Sequence, residues 1–291
     1  SGDRICYHGV MDMFRNPKLA AAAYASQGED EPVLEISSSM DIGDSPAGQL
    51  GRVYAFSNAQ QVKLYKNDVF VTDLARSEWD SLLHPPFVVD DTIGELLETQ
   101  EHFAPAKAAL LRDCLLAAGK YGLPGLPLSY KLKLGWCMLR YKMTFADGVA
   151  LYGKYVGNWG GAATRWRFDA VQDGKVVRSV TLCPGTKLHL EVRTSRTTLR
   201  EADTYDMAAV RVRVLDENGN PATYAQLPVR FAVEGDAALA GPETAAAEGG
   251  MTGTYLRTVG KAGTAVLTVS APQTEPVTVH FTLEKEEPVW N

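Results

Sequence analysis

Nothing in the sequence marks a metal or redox protein. Its four cysteines, Cys6, Cys114, Cys137 and Cys183, stand far apart and show none of the close pairings that zinc sites or dithiol centres use. Each lies among apolar neighbours and reads as a small buried hydrophobe, so the cysteines fix no compartment. The five histidines are equally dispersed, and the chain contains no H-E-x-x-H, no G-x-S-x-G elbow and no glycine-rich loop ending in Lys-Ser or Lys-Thr. No metal, cofactor or nucleotide site is therefore expected. Basic excess is missing as well: 29 Lys and Arg against 35 Asp and Glu leave a net charge of -6, which argues against a nucleic-acid partner. No apolar run approaches the roughly 18 residues that would cross a bilayer, so no membrane partner is expected. The chain opens Ser1-Gly2-Asp3 without an initiator Met or a signal-peptide pattern and reads as a processed or excised piece.

What is present is ordinary globular material, 45% hydrophobic and 22% charged over 291 residues, with room for two or three cores. The organising stretch is Arg52 to Val71, whose alternating Val53, Ala55, Val62 and Leu64 predict two strands joined by Ser57-Asn58-Ala59-Gln60. A turn at Lys66-Asn67-Asp68 leads into a third strand, giving an expected meander that needs a facing layer. That layer is delayed by a helical block. One helix begins near Pro105 and carries Leu110, Leu111, Cys114 and Leu115 on one face before Gly119 and Gly122. A second runs from about Ser129 to Lys142, with Leu132, Trp136, Leu139 and Met143 at helical spacing, and Lys131, Lys133, Arg140 and Lys142 read as its solvated face. Thr144 and Asp147 form a capping box for a third, which presents Val149, Tyr152 and Tyr155.

Strand character returns at Arg165 to Val171 and crosses Asp173-Gly174, a hairpin dipeptide, to Val176 to Leu182. From about residue 194, strands recur at intervals of roughly ten residues with turn residues between, the pattern of an immunoglobulin-like sandwich. Near the start, Asn16 and Pro17 are suited to open a short helix whose stripe of Leu19, Ala20, Ala23 and Tyr24 can dock on a neighbour but cannot form a core.

Three segments together resemble the C-terminal region of glycoside hydrolase family 2 proteins of the β-galactosidase type. Tyr7-His8-Gly9-Val10-Met11-Asp12-Met13-Phe14-Arg15-Asn16-Pro17-Lys18, continued by Tyr24-Ala25-Ser26-Gln27, is similar to the segment that closes that family's catalytic barrel. Val53-Tyr54-Ala55-Phe56-Ser57-Asn58 with Val62-Lys63-Leu64-Tyr65-Lys66-Asn67 resembles the β-sandwich that follows, and Gly174-Lys175-Val176-Val177 looks like its later hairpin. Val210 to Gly219 with Gly260 to Ser270 looks like the terminal Ig-like domain.

The resemblance implies a mainly β fold of two immunoglobulin-like β-sandwich domains, the first interrupted by an α-helical insertion and the pair preceded by a remnant of a (β/α)8 barrel. The expected division is 1–27 for the barrel end, 28–90 with 158–193 for the first sandwich, 91–157 for the insertion and 194–287 for the Ig-like domain. The family's chemistry, retaining hydrolysis of β-galactosides or related β-glycosides, needs two carboxyl groups, one of which follows an Asn. No Asn-Glu dipeptide occurs in the chain, and Glu78 in Ser77-Glu78-Trp79 lies in a loop with no readable acid partner. No catalytic residue is therefore expected here, and the implied partner is the preceding catalytic barrel. The competing expectation is carbohydrate binding or cell-surface interaction, with Tyr152, Tyr155, Trp159 and Trp166 as the rings that would stack on a sugar. Against it stands a plainer reading of the same rings as packing between helices and sheet.

Overall fold

The computed structural model describes residues 8–41, 50–157 and 163–286, apart from the side chain of Leu123. The chain divides into two compact units, Ala21–Pro184 and Ser1–Ala20 with Gly185–Asn291. A seven-residue helix, α1 (Leu19–Ala25), spans the division and buries none of its residues.

In the first unit the strands are β1 (Leu34–Ile36), β2 (Val53–Ser57), β3 (Gln61–Lys66), β4 (Val69–Asp73), β5 (Ala75–Arg76), β6 (Phe87–Val89), β7 (Trp166–Gln172) and β8 (Lys175–Leu182). They form two four-stranded sheets, ordered β1-β2-β6-β5 and β4-β3-β7-β8, with every pairing antiparallel. The expected meander is corrected here, because β2 and β3 lie in different sheets. Ser57 and Ala59 are both buried at the corner, where the Ser57 hydroxyl accepts from the Ala59 amide at 3.2 Å. Only the second sheet takes strands from beyond the helices, its β3 pairing with β7 from Gln61↔Val171 to Lys66↔Trp166.

Both of its hairpins turn on two residues in the left-handed region, Asn67 and Asp68 between β3 and β4, and Asp173 and Gly174 between β7 and β8. These are residues that tolerate positive φ, and such turns match the twist of the strands they join.

Between β6 and β7 lie α2 (Leu96–Thr99), α3 (Pro105–Gly125), α4 (Leu128–Tyr141), α5 (Phe145–Tyr152) and a π-helical turn, Gly153–Gly157. Gly122, at φ 68 and ψ 159, breaks α3 near its end. The capping box read from Thr144 and Asp147 is formed: the Thr144 hydroxyl accepts from the Asp147 amide at 3.2 Å, and the Asp147 carboxylate accepts from the Thr144 amide at 2.7 Å. The helices keep only a small cluster to themselves, Ala117, Ala118 and Leu126 with Tyr130, Leu134 and Tyr152 packed against it. Ala108, Leu111, Leu115, Cys137, Leu151 and Tyr155 join Leu34, Val53, Val62, Leu64, Phe87 and Phe168 in one buried cluster.

Of the stripe expected to anchor α4, Met143, just past the helix end, packs on the main core, and the other three residues point the other way. Leu132, Trp136 and Leu139 are exposed, Leu139 by 83%, while Tyr130, Leu134, Cys137 and Tyr141 face inward at the same helical spacing. Lys131, Arg140 and Lys142 are exposed as expected, and Lys133 pairs with Asp113.

The second unit holds β9 (Leu188–Thr194), β10 (Thr198–Glu201), β11 (Met207–Asp216), β12 (Pro228–Gly235), β13 (Ala237–Leu239), β14 (Thr244–Ala246), β15 (Met251–Thr258), β16 (Gly263–Ser270) and β17 (Val277–Lys285). Its sheets are β13-β15-β11-β9 and β10-β17-β16-β12-β14. Inward residues alternate along most of the strands, with Val210, Val212, Val214, Leu256, Leu267 and Val269 fully buried between the sheets; Val214-Leu215 and Thr252-Gly253-Thr254 are the runs of consecutive buried residues on β11 and β15. The expected boundary after residue 193 is displaced: β9 pairs with β11 from Thr194↔Val210 to Leu188↔Asp216 and so belongs to this sandwich rather than the first.

Residues 8–18 also fold onto the second unit. The Asp12 carboxylate accepts from the Phe14 amide, the Asn16 amide and the Asn16 side chain at 2.8 to 2.9 Å, and Asn16 Nδ2 donates to the Thr252 carbonyl at 3.2 Å. Met11 and Pro17 form a β-bridge. Asn16 is thus spent inside this loop instead of capping α1, and Pro17 precedes the helix rather than opening it. Gly253 makes the close approach feasible, since a Cβ there would fall 2.6 Å from the Phe14 ring.

Candidate functional site

Lys66 closes β3 with a cation where the burial pattern calls for an apolar side chain, and it is only 6% exposed. Its ammonium donates to the carbonyl of Tyr155 at 3.0 Å and to that of Lys154 at 3.3 Å. Both carbonyls belong to the π-helical turn, where the wider hydrogen-bond spacing frees main-chain acceptors. Trp166 is the cross-strand partner of Lys66, and its ring lies 5.1 Å from the ammonium; the Tyr155 ring lies at 5.8 Å. Desolvation, with the neighbouring Lys154 charge adding to it, holds the Lys66 pKa down to about 8.

On the other side of Tyr155 the phenol donates to Glu101 at 2.7 Å, and Lys154 pairs with the same carboxylate oxygen at 2.5 Å. The Lys154 and Tyr155 hydrogen bonds hold the Glu101 carboxyl below its usual range. Burial, followed by that hydrogen bond, pushes the Tyr155 phenol up. The cluster therefore joins an ionised Glu101, a protonated Tyr155 and an enclosed amine. Glu101 has no proton to give and Lys66 is covered by rings, so the arrangement works as a clasp between the π turn and the end of β3.

Of the four rings considered for carbohydrate, the structure brings Tyr155 and Trp166 together around Lys66 and covers both, at 2% and 3% exposure. Tyr152 is half-buried and packs between Ala117, Ala118 and the main core. Trp159 lies outside the described residues. Rings enclosed in this way present no face on which a sugar could stack. Lys66 and Glu101 were missed by sequence reasoning; the one available signal was a lysine at an inward position of an otherwise alternating strand. Glu78 is exposed, next to a Trp79 that lies 5.2 Å from the Tyr54 ring. Among the described residues no group of three or more His, Cys, Asp or Glu could hold a metal ion, and no helix is long and apolar enough to cross a membrane.

Residues 190–280 match the family described as glycoside hydrolase family 2 C-terminal domain 5. Over 272 residues the chain is 28% identical to a β-galactosidase of Thermoanaerobacter pseudethanolicus, an alignment that takes in 92% of this chain and 29% of the relative. Over 95 residues it is 38% identical to a β-galactosidase of Thermoanaerobacterium thermosulfurigenes, covering 31% of this chain and 13% of that one. The chain thus spans 29% of the length of the first relative and 13% of the second in these alignments. Among solved structures, a β-glycosidase from Bacteroides vulgatus superposes with a TM-score of 0.57 at 13% identity, over 94% of this chain and 28% of that one. A family 2 β-glucuronidase does so with a TM-score of 0.55 at 17% identity, over 96% and 23%. At such identities the structural likeness is one of fold. Together the matches bear out the resemblance to the C-terminal region of a glycoside hydrolase family 2 protein.

Proposed function

We propose that the chain serves as the noncatalytic, accessory C-terminal portion of a family 2 glycoside hydrolase whose catalytic barrel cleaves β-galactosides or related β-glycosides. The observation that carries this reading is the long alignment to a β-galactosidase, which covers nearly all of this chain and under a third of the enzyme. The described architecture of sheets and short helices supports it, since a barrel needs eight strand–helix units and none of the two sandwiches supplies parallel βαβ crossovers. Within this reading, residues 1–27 are the end of the barrel, residues 91–157 are the helical insertion, and α1, which has no fully buried residue, packs on the catalytic region. The buried clasp around Lys66 and Glu101 is structural. A glycan-binding role would have to fall to Trp159 or to the half-buried Tyr152, because Tyr155 and Trp166 are enclosed.

The test is hydrolysis of an aryl β-galactoside. A longer polypeptide that carries this chain behind its catalytic region is expected to turn the substrate over, and the 291-residue chain alone is expected not to. Turnover by the isolated chain would overturn the proposal. Binding on a glycan array that disappears in Trp159→Ala would replace it with the carbohydrate-binding reading.

A further inference from the structure

The outward face of the second sandwich carries more positive charge than it can satisfy by itself. Glu191 and Arg193 on β9 and Arg211 and Arg213 on β11 point to the same side, two residues apart on each strand. Arg213 stands opposite Glu191, but Arg211 stands directly opposite Arg193, a like-charge pairing that ordinarily destabilises a sheet. Glu191 is the one carboxylate within the group and is already shared. One oxygen accepts from Arg193 at 2.7 Å, and the other, buried and without a hydrogen-bond partner, lies 3.6 Å from Arg213. The side chain of Arg211 has no hydrogen-bond or ion-pair partner among the described residues, and the buried Nε atoms of Arg211 and Arg213 both lack an acceptor. Buried guanidinium donors are rarely left unmet in a stable fold. These four side chains, with Asn16 and Pro17 from the loop folded over the sheet, line a small cavity of about 50 Å³.

We infer that this cavity is an oxyanion-binding site that takes a carboxylate, sulfate or phosphate group, with Arg211 as its principal ligand and Arg193 and Arg213 at its sides. A planar guanidinium presents paired donors that match two oxygens of such a group, and a second anion beside Glu191 neutralises the Arg211–Arg193 repulsion that Glu191 leaves standing. The cavity accommodates one oxyanion and not a whole sugar ring, so the rest of the ligand lies outside it. Glu191 competes for the same donors and sets a ceiling on affinity. The site lies within the second sandwich and does not depend on the accessory role proposed above.

Isothermal titration of the full chain with sodium sulfate, sodium phosphate and sodium glucuronate, each against sodium chloride at matched ionic strength, tests the inference. Saturable binding of at least one oxyanion is expected. Arg211→Ala should weaken it about tenfold or more, and Arg211→Lys should fall between the two because it keeps the charge without the fork. Glu191→Gln should tighten binding by a few-fold, roughly, since the competing acceptor loses its charge. Preference for sulfate and phosphate identifies a tetrahedral oxyanion as the ligand group, and preference for glucuronate identifies a sugar carboxylate. Should Arg211→Ala fail to fold, the largely exposed Arg193 carries the test through Arg193→Ala, with a smaller loss expected. Flat titrations for all three salts, or variants that bind as well as the parent chain, would overturn the site.

Discussion

The two sandwiches solve the same packing problem in different ways. In the second, side chains alternate between core and water along β11, β12 and β16, β15 turns Thr252, Thr254 and Thr258 inward beside the aliphatic residues and beside Phe231 and Phe281, and charge is confined to the outside. In the first, the sheets share one core with helices that enter between β6 and β7, and a lysine sits inside the joint. The difference shows what joining a helical layer to a sheet costs. Strands satisfy each other's main chain, whereas the π turn at Gly153–Gly157 leaves carbonyls that need a donor, and Lys66 supplies it at the expense of a buried charge.

The sharpest way to establish that both cores hold their units equally is to empty each one. Phe168→Ala in the first and Phe231→Ala in the second, both rings essentially without exposure, should each cost about 3–5 kcal/mol in urea unfolding. A loss under about 1 kcal/mol at either site would show that its unit is not organised around that core.

The buried lysine separates the units by pH. Lys66 titrates near 8 when folded and at its ordinary value of 10.5 when unfolded, so between those values the unfolded chain binds the extra proton and stability rises with pH. The gain, complete above the unfolded pKa and absent below the folded one, amounts to about 3 kcal/mol at most. Stability curves of the wild type and Lys66→Met should diverge in slope across this window. Parallel curves would mean that the ammonium is not enclosed as described.

A smaller effect is expected at the capping box, where Thr144→Ala should cost about 1 kcal/mol and speed amide exchange in the first turn of α5. The smallest concerns α4. Leu139→Ser should change stability by no more than about 0.5 kcal/mol, while Leu111→Ala on α3 should cost about 2–5 kcal/mol. If Leu139→Ser proved the costlier, the orientation assigned to α4 would be wrong.

Legibility followed periodicity. The long strands of the second sandwich could be read because their faces mostly alternate between core and water, whereas the short β10, β13 and β14 carry too few residues to show a period. The Asp173-Gly174 hairpin and the Thr144–Asp147 box were equally readable, since both depend on local main-chain chemistry. The orientation of α4 was not readable. It carries apolar residues at helical spacing on two opposite faces, Leu132, Trp136 and Leu139 on one and Tyr130, Leu134, Cys137 and Tyr141 on the other, and spacing alone cannot choose between them. Asn16 and Pro17 made a persuasive helix start, yet the Asp12 carboxylate and the Thr252 carbonyl, the latter 236 residues away, claimed the Asn16 side chain first.

Local patterning by itself determined that this protein is mainly β, that helices separate β6 from β7 and that its tight turns fall where Asn, Asp and Gly place them, because backbone sterics and side-chain alternation act over a few residues. Tertiary structure alone decided that β2 and β3 part into different sheets, that β9 joins the second sandwich, that Lys66 is enclosed by Tyr155 and Trp166, and that Arg211 faces Arg193. Those outcomes depend on which distant strands pair and which faces meet, and burial energies are summed over the whole core before any single residue's neighbours are settled.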